Sequence, residues 1–173
     1  MMGGVTDDRL TIDRLSIRRA VETDDAALLA LDLSAWTAES GFPSMTTGDR
    51  KKFFSERSGP DAHLIAEYEG ELVGYVRLQD KYPFVEGAGV LAVNGLAVSP
   101  SARRLGIGSA LLDAVAAEGK RRGARKITLC VFATNTAAQR LYERHGYIVE
   151  SRRSAEFLIG GHYIDDLGLA KFL

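Results

Sequence analysis

The chain has 173 residues, 46% hydrophobic and 26% charged, which suits one globular domain with a core of its own. A formal net charge of −1 argues against bulk nucleic-acid binding, so any cluster of arginines acts locally. No apolar run approaches the ~20 residues of a membrane span, and the opening MMGGVTDDRLTIDR holds no signal-peptide core.

A cytoplasmic protein with neither nucleic-acid nor membrane partner is therefore expected, with residues 1–13 a flexible polar tail and 14–173 the folded domain. Leu15 to Val21 suits a first strand. Thr23 and Asp24 are helix-starting types, and the Ala- and Leu-rich stretch from Ala26 to Trp36 predicts a helix. Gly41-Phe42-Pro43 ends it, and Thr47 to Arg57 predicts a second helix closed by Ser58-Gly59-Pro60. His63–Glu69 and Glu71–Gln79 are β-type runs meeting at Gly70, which predicts a hairpin. Residues 80–89 form a loop, and Val90–Val98 is the next strand.

Ile107, Leu111, Ala114 and Val115 then share one helical face. Lys120, Arg121 and Arg122 crowd the end of that helix and Gly123 stops it, as the helix dipole and C-cap geometry favour. Lys126–Phe132 is the most hydrophobic strand. It contains the single cysteine, Cys130, which has no disulfide partner, belongs to no metal-ligand cluster and reads as a small buried hydrophobe. Asn135 is placed to cap a helix whose Ala138, Leu141, Tyr142 and His145 lie on one face, and Gly146 ends it. Two closing strands, 147–160 and 162–173, turn at Gly160-Gly161. The order β-α-α-β-β-β-α-β-α-β-β requires a mixed sheet covered by helices.

Residues 94–122 hold the main chemical signal. A strand ending at Leu96-Ala97-Val98, a loop with two arginines and two glycines, and a helix make an anion site. The unpaired amides of the helix start and its dipole converge there. A P-loop is excluded because no Gly-Lys-Ser/Thr occurs. A dinucleotide loop is excluded because Gly106-Ile107-Gly108-Ser109-Ala110 continues with Leu111 and no acidic ribose ligand follows. What remains is Arg-x-x-Gly-x-Gly, residues 103–108, followed one strand later by Asn135-Thr136-Ala137-Ala138-Gln139-Arg140-Leu141-Tyr142.

This motif pair resembles the GNAT superfamily of acetyl-CoA-dependent N-acetyltransferases. The resemblance implies a single-domain α/β fold, a mixed and largely antiparallel sheet of about seven strands flanked by four helices. It implies acetyl-CoA as cosubstrate and no metal. Its pyrophosphate would rest on Arg103, Arg104, Leu105, Gly106, Ile107, Gly108 and Ser109, although the family often has Gly where Arg104 stands. Its pantetheine would pair with Leu96, Ala97 and Val98, which requires the strand at 126–132 to splay away, with Asn94-Gly95 a bulge that starts the splay. Asn135 and Ala138 would contact the coenzyme, and Tyr142 would protonate the departing thiolate. Read without the family, Tyr142 is a core tyrosine and Asn135 a plain cap.

Many relatives carry Glu at the position of Asn94. Asn cannot be a base but can position a water. Glu86, Asp165, Asp166 and His162 are alternative bases, and the base stays unassigned. Trp36, Phe42, Phe53, Phe54 and Tyr82 line an acceptor pocket or belong to the core. The acceptor is a small primary amine, a protein N-terminus or a lysine. A non-catalytic acyl-CoA-binding module is the rival from another class. Dimerisation is common in the family, so a homodimer is a further expectation.

Overall fold

The computed structural model describes residues 14–46 and 49–173; the expected tail lies outside them. Among the described residues seven strands form one sheet: β1 Leu15–Arg19, β2 His63–Tyr68, β3 Glu71–Asp80, β4 Val90–Val98, β5 Lys126–Phe132, β6 Ile148–Ile159 and β7 His162–Phe172. Their spatial order is β1-β2-β3-β4-β5-β7-β6. All neighbours are antiparallel except β4 and β5. That one parallel pair needs a crossover, and the helix between them supplies it. The helices are α1 Asp25–Ala35, α2 Pro43–Thr46, α3 Ile107–Arg121 and α4 Thr136–Arg144. The expected mixed, largely antiparallel sheet with helices is thus the observed architecture.

The two faces of the sheet carry separate cores. In α1, Leu28, Leu31, Asp32 and Ala35 are buried at helical spacing, and the leucines and Ala35 pack with Ile65, Tyr75 and Ala97. In α3 the buried residues Ile107, Leu111, Leu112 and Val115 meet Val76, Leu78, Leu91, Ile127 and Leu129 on the opposite face. Each fully buried Leu or Ile contributes roughly 1.5–3 kcal/mol, so α3 is the main clamp on the sheet. Gly123 at φ 69° follows the helix as its composition predicts.

Two expectations fail. No helix covers 49–57, and Thr47 and Gly48 lie outside the described residues. Asp25 Oδ1 instead accepts hydrogen bonds from the amides of Phe53 (3.1 Å) and Phe54 (2.8 Å), and Ser55 bridges to Ser58. The Phe53 ring packs edge-on to Tyr75 at 5.0 Å and to His63 at 5.1 Å. Tertiary contacts therefore set this segment against its weak helical pattern. Cys130 is exposed, not buried. It points away from the α3 core, and Arg153 Nη2 donates to its sulfur at 3.1 Å.

Candidate active site

The parallel pairing of β4 and β5 covers only Val90–Ala92 against Lys126–Thr128. At its end Thr128 Oγ1 donates to the Leu91 carbonyl at 3.2 Å. Beyond it β4 runs on to Val98 and β5 to Phe132 without meeting. The departure coincides with a bulge. Val76 pairs with Leu96 and Leu78 with Val93, so Asn94 and Gly95 together face Arg77. Gly95 sits at φ 130°, a conformation open to glycine and costly for other residues. The expected bulge and splay are both present. Leu96, Ala97 and Val98 keep β3 on one side and have no strand on the other.

Arg103 to Ser109 form the turn between Val98 and α3. Arg104 at φ 66° and Gly106 at φ 76° are both left-handed, and Gly106 is the residue before the helix. The first intrahelical bond at this end runs from the Ala110 amide to the Gly106 carbonyl at 3.0 Å. Among the described residues the amides of Arg103 through Ser109 have no protein acceptor. They form a row of unpaired donors, exposed from Arg103 to Gly106, at the positive end of a 15-residue helix. Arg103 Nη2 donates to the Ala35 carbonyl at 3.0 Å, so it ties the turn to the C-terminal end of α1. A side chain at Gly108 would lie 3.1 Å from Leu141, so this glycine sets the approach of α3 to α4.

In α4, Asn135 Oδ1 accepts from the Ala138 amide at 3.1 Å and is the helix cap. Tyr142 is buried at 9% exposure, edge-on to Tyr147 with centroids 5.9 Å apart. Burial pushes its hydroxyl up to about 12, so it holds its proton at any working pH.

One cavity of about 910 Å³ joins α4 and the bulge to the α1 face. Asn135, Ala138, Leu141 and Tyr142 line it from α4, Asn94 to Leu96 from the bulge, and Asp32, Trp36, Phe53, Tyr75 and Arg77 from the α1 face. Because the two groups belong to opposite faces of the sheet, the cavity passes through the gap between β4 and β5. A smaller cavity of about 160 Å³ lies along Leu96–Val98 beneath Trp36 and Arg103. Phe42 lines the large one, edge-on to Phe132 (5.3 Å) and Phe157 (4.8 Å), which line it too.

Of the aromatics singled out from sequence, Trp36, Phe42 and Phe53 line the cavity. Phe54 packs at the edge of the α1 core, and Tyr82 stacks on Phe84 outside. Of the alternative bases only Asp166 reaches the cavity, and Arg153 binds it. Asp165 is held by Arg152 at 2.7 Å and by the Ala155 amide at 2.8 Å, which keep its carboxyl below the usual range, the amide first. Glu86 and His162 are exposed and stand away from the cavity. No group of His, Cys, Asp and Glu suited to a metal ion occurs among the described residues, and no described helix is long and apolar enough to cross a membrane.

Two polar residues of the cavity escape sequence reasoning. Asp32 Oδ1 accepts from Trp36 Nε1 at 2.6 Å and from the Tyr75 hydroxyl, while Arg50 lies 2.7 Å from Oδ2. Burial, then the Asp32 charge, pushes the Tyr75 hydroxyl far up. Arg77 is the other. The available signal was a charge on an apolar face: Asp32 among Leu28, Leu31 and Ala35, and Arg77 inside an alternating strand.

The family model for the acetyltransferase (GNAT) family matches residues 26–147. An uncharacterized N-acetyltransferase of Bacillus subtilis, YhfO, is 37% identical over 49% of this chain and 56% of its own. A mycothiol acetyltransferase of Thermobispora bispora is 35% identical over 72% of this chain and 43% of its own. The chain thus spans about half the length of these curated relatives. Among solved structures, smu.2055 from Streptococcus mutans superposes with TM-score 0.77 at 23% identity, covering 91% of this chain and 98% of that one. The yncA protein of Salmonella typhimurium, solved with its cofactor acetyl-CoA, gives TM-score 0.74 at 20% identity over 92% and 94%. At these identities the structures speak for the fold alone. The matched model runs from α1 through the splay and the amide row to the end of α4, and the chain belongs to the GNAT family of acetyltransferases.

Proposed function

We propose that the protein transfers an acetyl group from acetyl-CoA to the primary amine of a small acceptor, by direct attack while both are bound. The observation that carries this reading is the cavity through the β4–β5 gap. It connects the α4 side of the splay, beside Asn135 and Tyr142, with an aromatic chamber on the far face of the sheet. The amides of Arg103 to Ser109 suit a pyrophosphate, with Arg104 an added charge. The unpaired side of Leu96, Ala97 and Val98 suits the amide-bearing pantetheine, and Asn135 and Ala138 border the same passage. Likeness in fold to a protein solved with acetyl-CoA supports the cosubstrate, and a curated relative named N-acetyltransferase supports an amine acceptor.

Acetyl-CoA supplies an activated thioester. An N–C bond forms as the C–S bond breaks, and a backbone N–H of the β4 edge can donate to the carbonyl oxygen as charge gathers there. The amine must lose a proton. Asn94 can only orient a water to receive it, since an amide is no base. Tyr142 delivers a proton to the departing sulfur. Its hydroxyl at about 12 exceeds the ~8.5 of a model thiol, so it donates a hydrogen bond first. Complete transfer relies on the same burial raising the basicity of the thiolate. The aromatic lining, with Phe42 packed on Phe132 and Phe157, favours a small molecule over a peptide.

The test is calorimetry with acetyl-CoA and a mass-detected screen of amines, run on wild type and Tyr142→Phe. Acetyl-CoA binds both alike, and kcat of the variant falls about 100-fold. Absence of acetyl-CoA binding, or no product from any amine, defeats the reading. An unchanged kcat with chemistry rate-limiting removes Tyr142 from the reaction.

A further inference from the structure

Three arginines line the large cavity, and the chain neutralises two of them. Arg50 meets Asp32 and Arg153 meets Asp166. Arg77 has no carboxylate within 4.0 Å among the described residues, and its Nε is buried without a hydrogen-bond partner. Its surroundings are committed elsewhere. Tyr75 donates to Asp32, Gln79 Nε2 donates to the Arg57 carbonyl at 3.0 Å, and His63 Nδ1 is 2.9 Å from the Gly59 carbonyl. His63, paired with Arg77 across β2 and β3, is kept neutral, by burial first and by the Arg77 charge as well. A cation taken from water and given no counter-charge opposes folding. A chain that keeps one in a substrate-sized cavity has left a place for an anion.

Its position is equally specific. Arg77 is the one β3 residue facing the Asn94–Gly95 bulge, where β4 parts from β5 and the free edge Leu96–Val98 begins. An anion held by Arg77 therefore lies beside the point where an amine must approach that edge. A guanidinium offers paired N–H groups in a plane, which matches the two oxygens of a carboxylate.

We propose that Arg77 anchors a carboxylate of the acceptor, so that the substrate class is a small amine carrying its own negative charge, an amino acid or a close analogue. The inference rests on the acetyl-transfer reading above.

The experiment compares amino acids with their amides as acceptors, in matched pairs, for wild type, Arg77→Gln and Arg77→Lys. Amidation lowers the basicity of the α-amine and enriches its reactive free base, so intrinsic reactivity favours the amide. Wild type is expected to prefer the acid by about 10- to 100-fold in kcat/KM, the size of a charged hydrogen-bonded contact. Arg77→Gln loses the preference mainly through KM, and Arg77→Lys restores part of it. A merely structural arginine would lower the melting temperature when replaced. Here Arg77→Gln melts at or above wild type, because it removes an unpaired cation, and acetyl-CoA affinity is unchanged.

Equal rates for acid and amide in wild type overturn the inference. So does the same preference in Arg77→Gln, or turnover of no carboxylate-bearing amine while acetyl-CoA binds. If Arg77→Gln does not fold, the wild-type ratio still decides. Failure of acetyl-CoA to bind is a separate result and defeats the acetyltransferase reading itself. Amines bearing a phosphonate form a further arm: a preference for them over the amino acids overturns the choice of carboxylate.

Discussion

Arg104 occupies a left-handed conformation, φ 66°, that costs a non-glycine residue roughly 1–2 kcal/mol. The family resemblance places glycine there often, and this backbone is the physical reason. Arginine at the position accepts strain in return for a charge beside the row of free amides. Arg104→Gly is expected to raise stability by about 0.5–1 kcal/mol, the relieved strain less the extra backbone entropy of glycine, and to weaken acetyl-CoA binding. Urea denaturation and calorimetry check the two halves, and a lower midpoint would contradict the strain. Tyr142 shows the opposite limit. Its i, i+4 relation to Ala138 is visible in the sequence, but the rise of its hydroxyl to about 12 comes from packing no residue pattern reveals.

Between elements, the decisive event is the parting of β4 from β5. The sequence holds a hint in Asn94-Gly95, since glycine within a strand often marks a bulge. The register shows what it does: two residues face Arg77 and the pairing with β5 has already stopped at Ala92. Gly95→Ala meets no crowding, because an added Cβ would stand 3.6 Å from the Tyr75 ring. Its cost is therefore conformational, roughly 1–2 kcal/mol at φ 130°. We expect that loss in urea denaturation together with weaker acetyl-CoA binding, as the strand edge relaxes toward regular pairing. A stability loss with unchanged affinity would separate the bulge from the coenzyme edge.

At the scale of the molecule, one carboxylate links distant parts of the chain. Glu118 of α3 accepts from Arg121 of its own helix at 2.8 Å, from Arg122 just beyond it at 2.7 Å, and from Arg19 of β1 at 3.0 Å. These bonds, Arg121 first, hold its carboxyl far below the ordinary 4.5. The Arg18 guanidinium likewise lowers the Asp24 carboxyl at the start of α1. A carboxyl whose value is lower folded than unfolded stabilises the fold above its unfolded value, and that stability is lost as pH falls toward the folded one. Glu118→Gln is expected to melt below wild type at pH 7, and the two curves are expected to converge as the pH drops under about 4. Melting curves across that range decide, and a constant gap would show that charge plays no part.

By itself the sequence determined the elements from Val90 onward, the amide row before α3, the Asn135 cap and the family, because strong periodicity and glycine spacing are local properties. It also identified Trp36, Phe42 and Phe53 as pocket candidates without choosing between pocket and core. Only the tertiary structure decided that 49–57 is held open by Asp25, that Cys130 faces a cavity and that Arg103 ties the turn to α1. It alone brought Asp32, Tyr75 and Arg77 to one chamber beside the splay. These depend on residues far apart in the chain meeting across a sheet, where a charge is paired or left unpaired by geometry that composition and spacing do not encode.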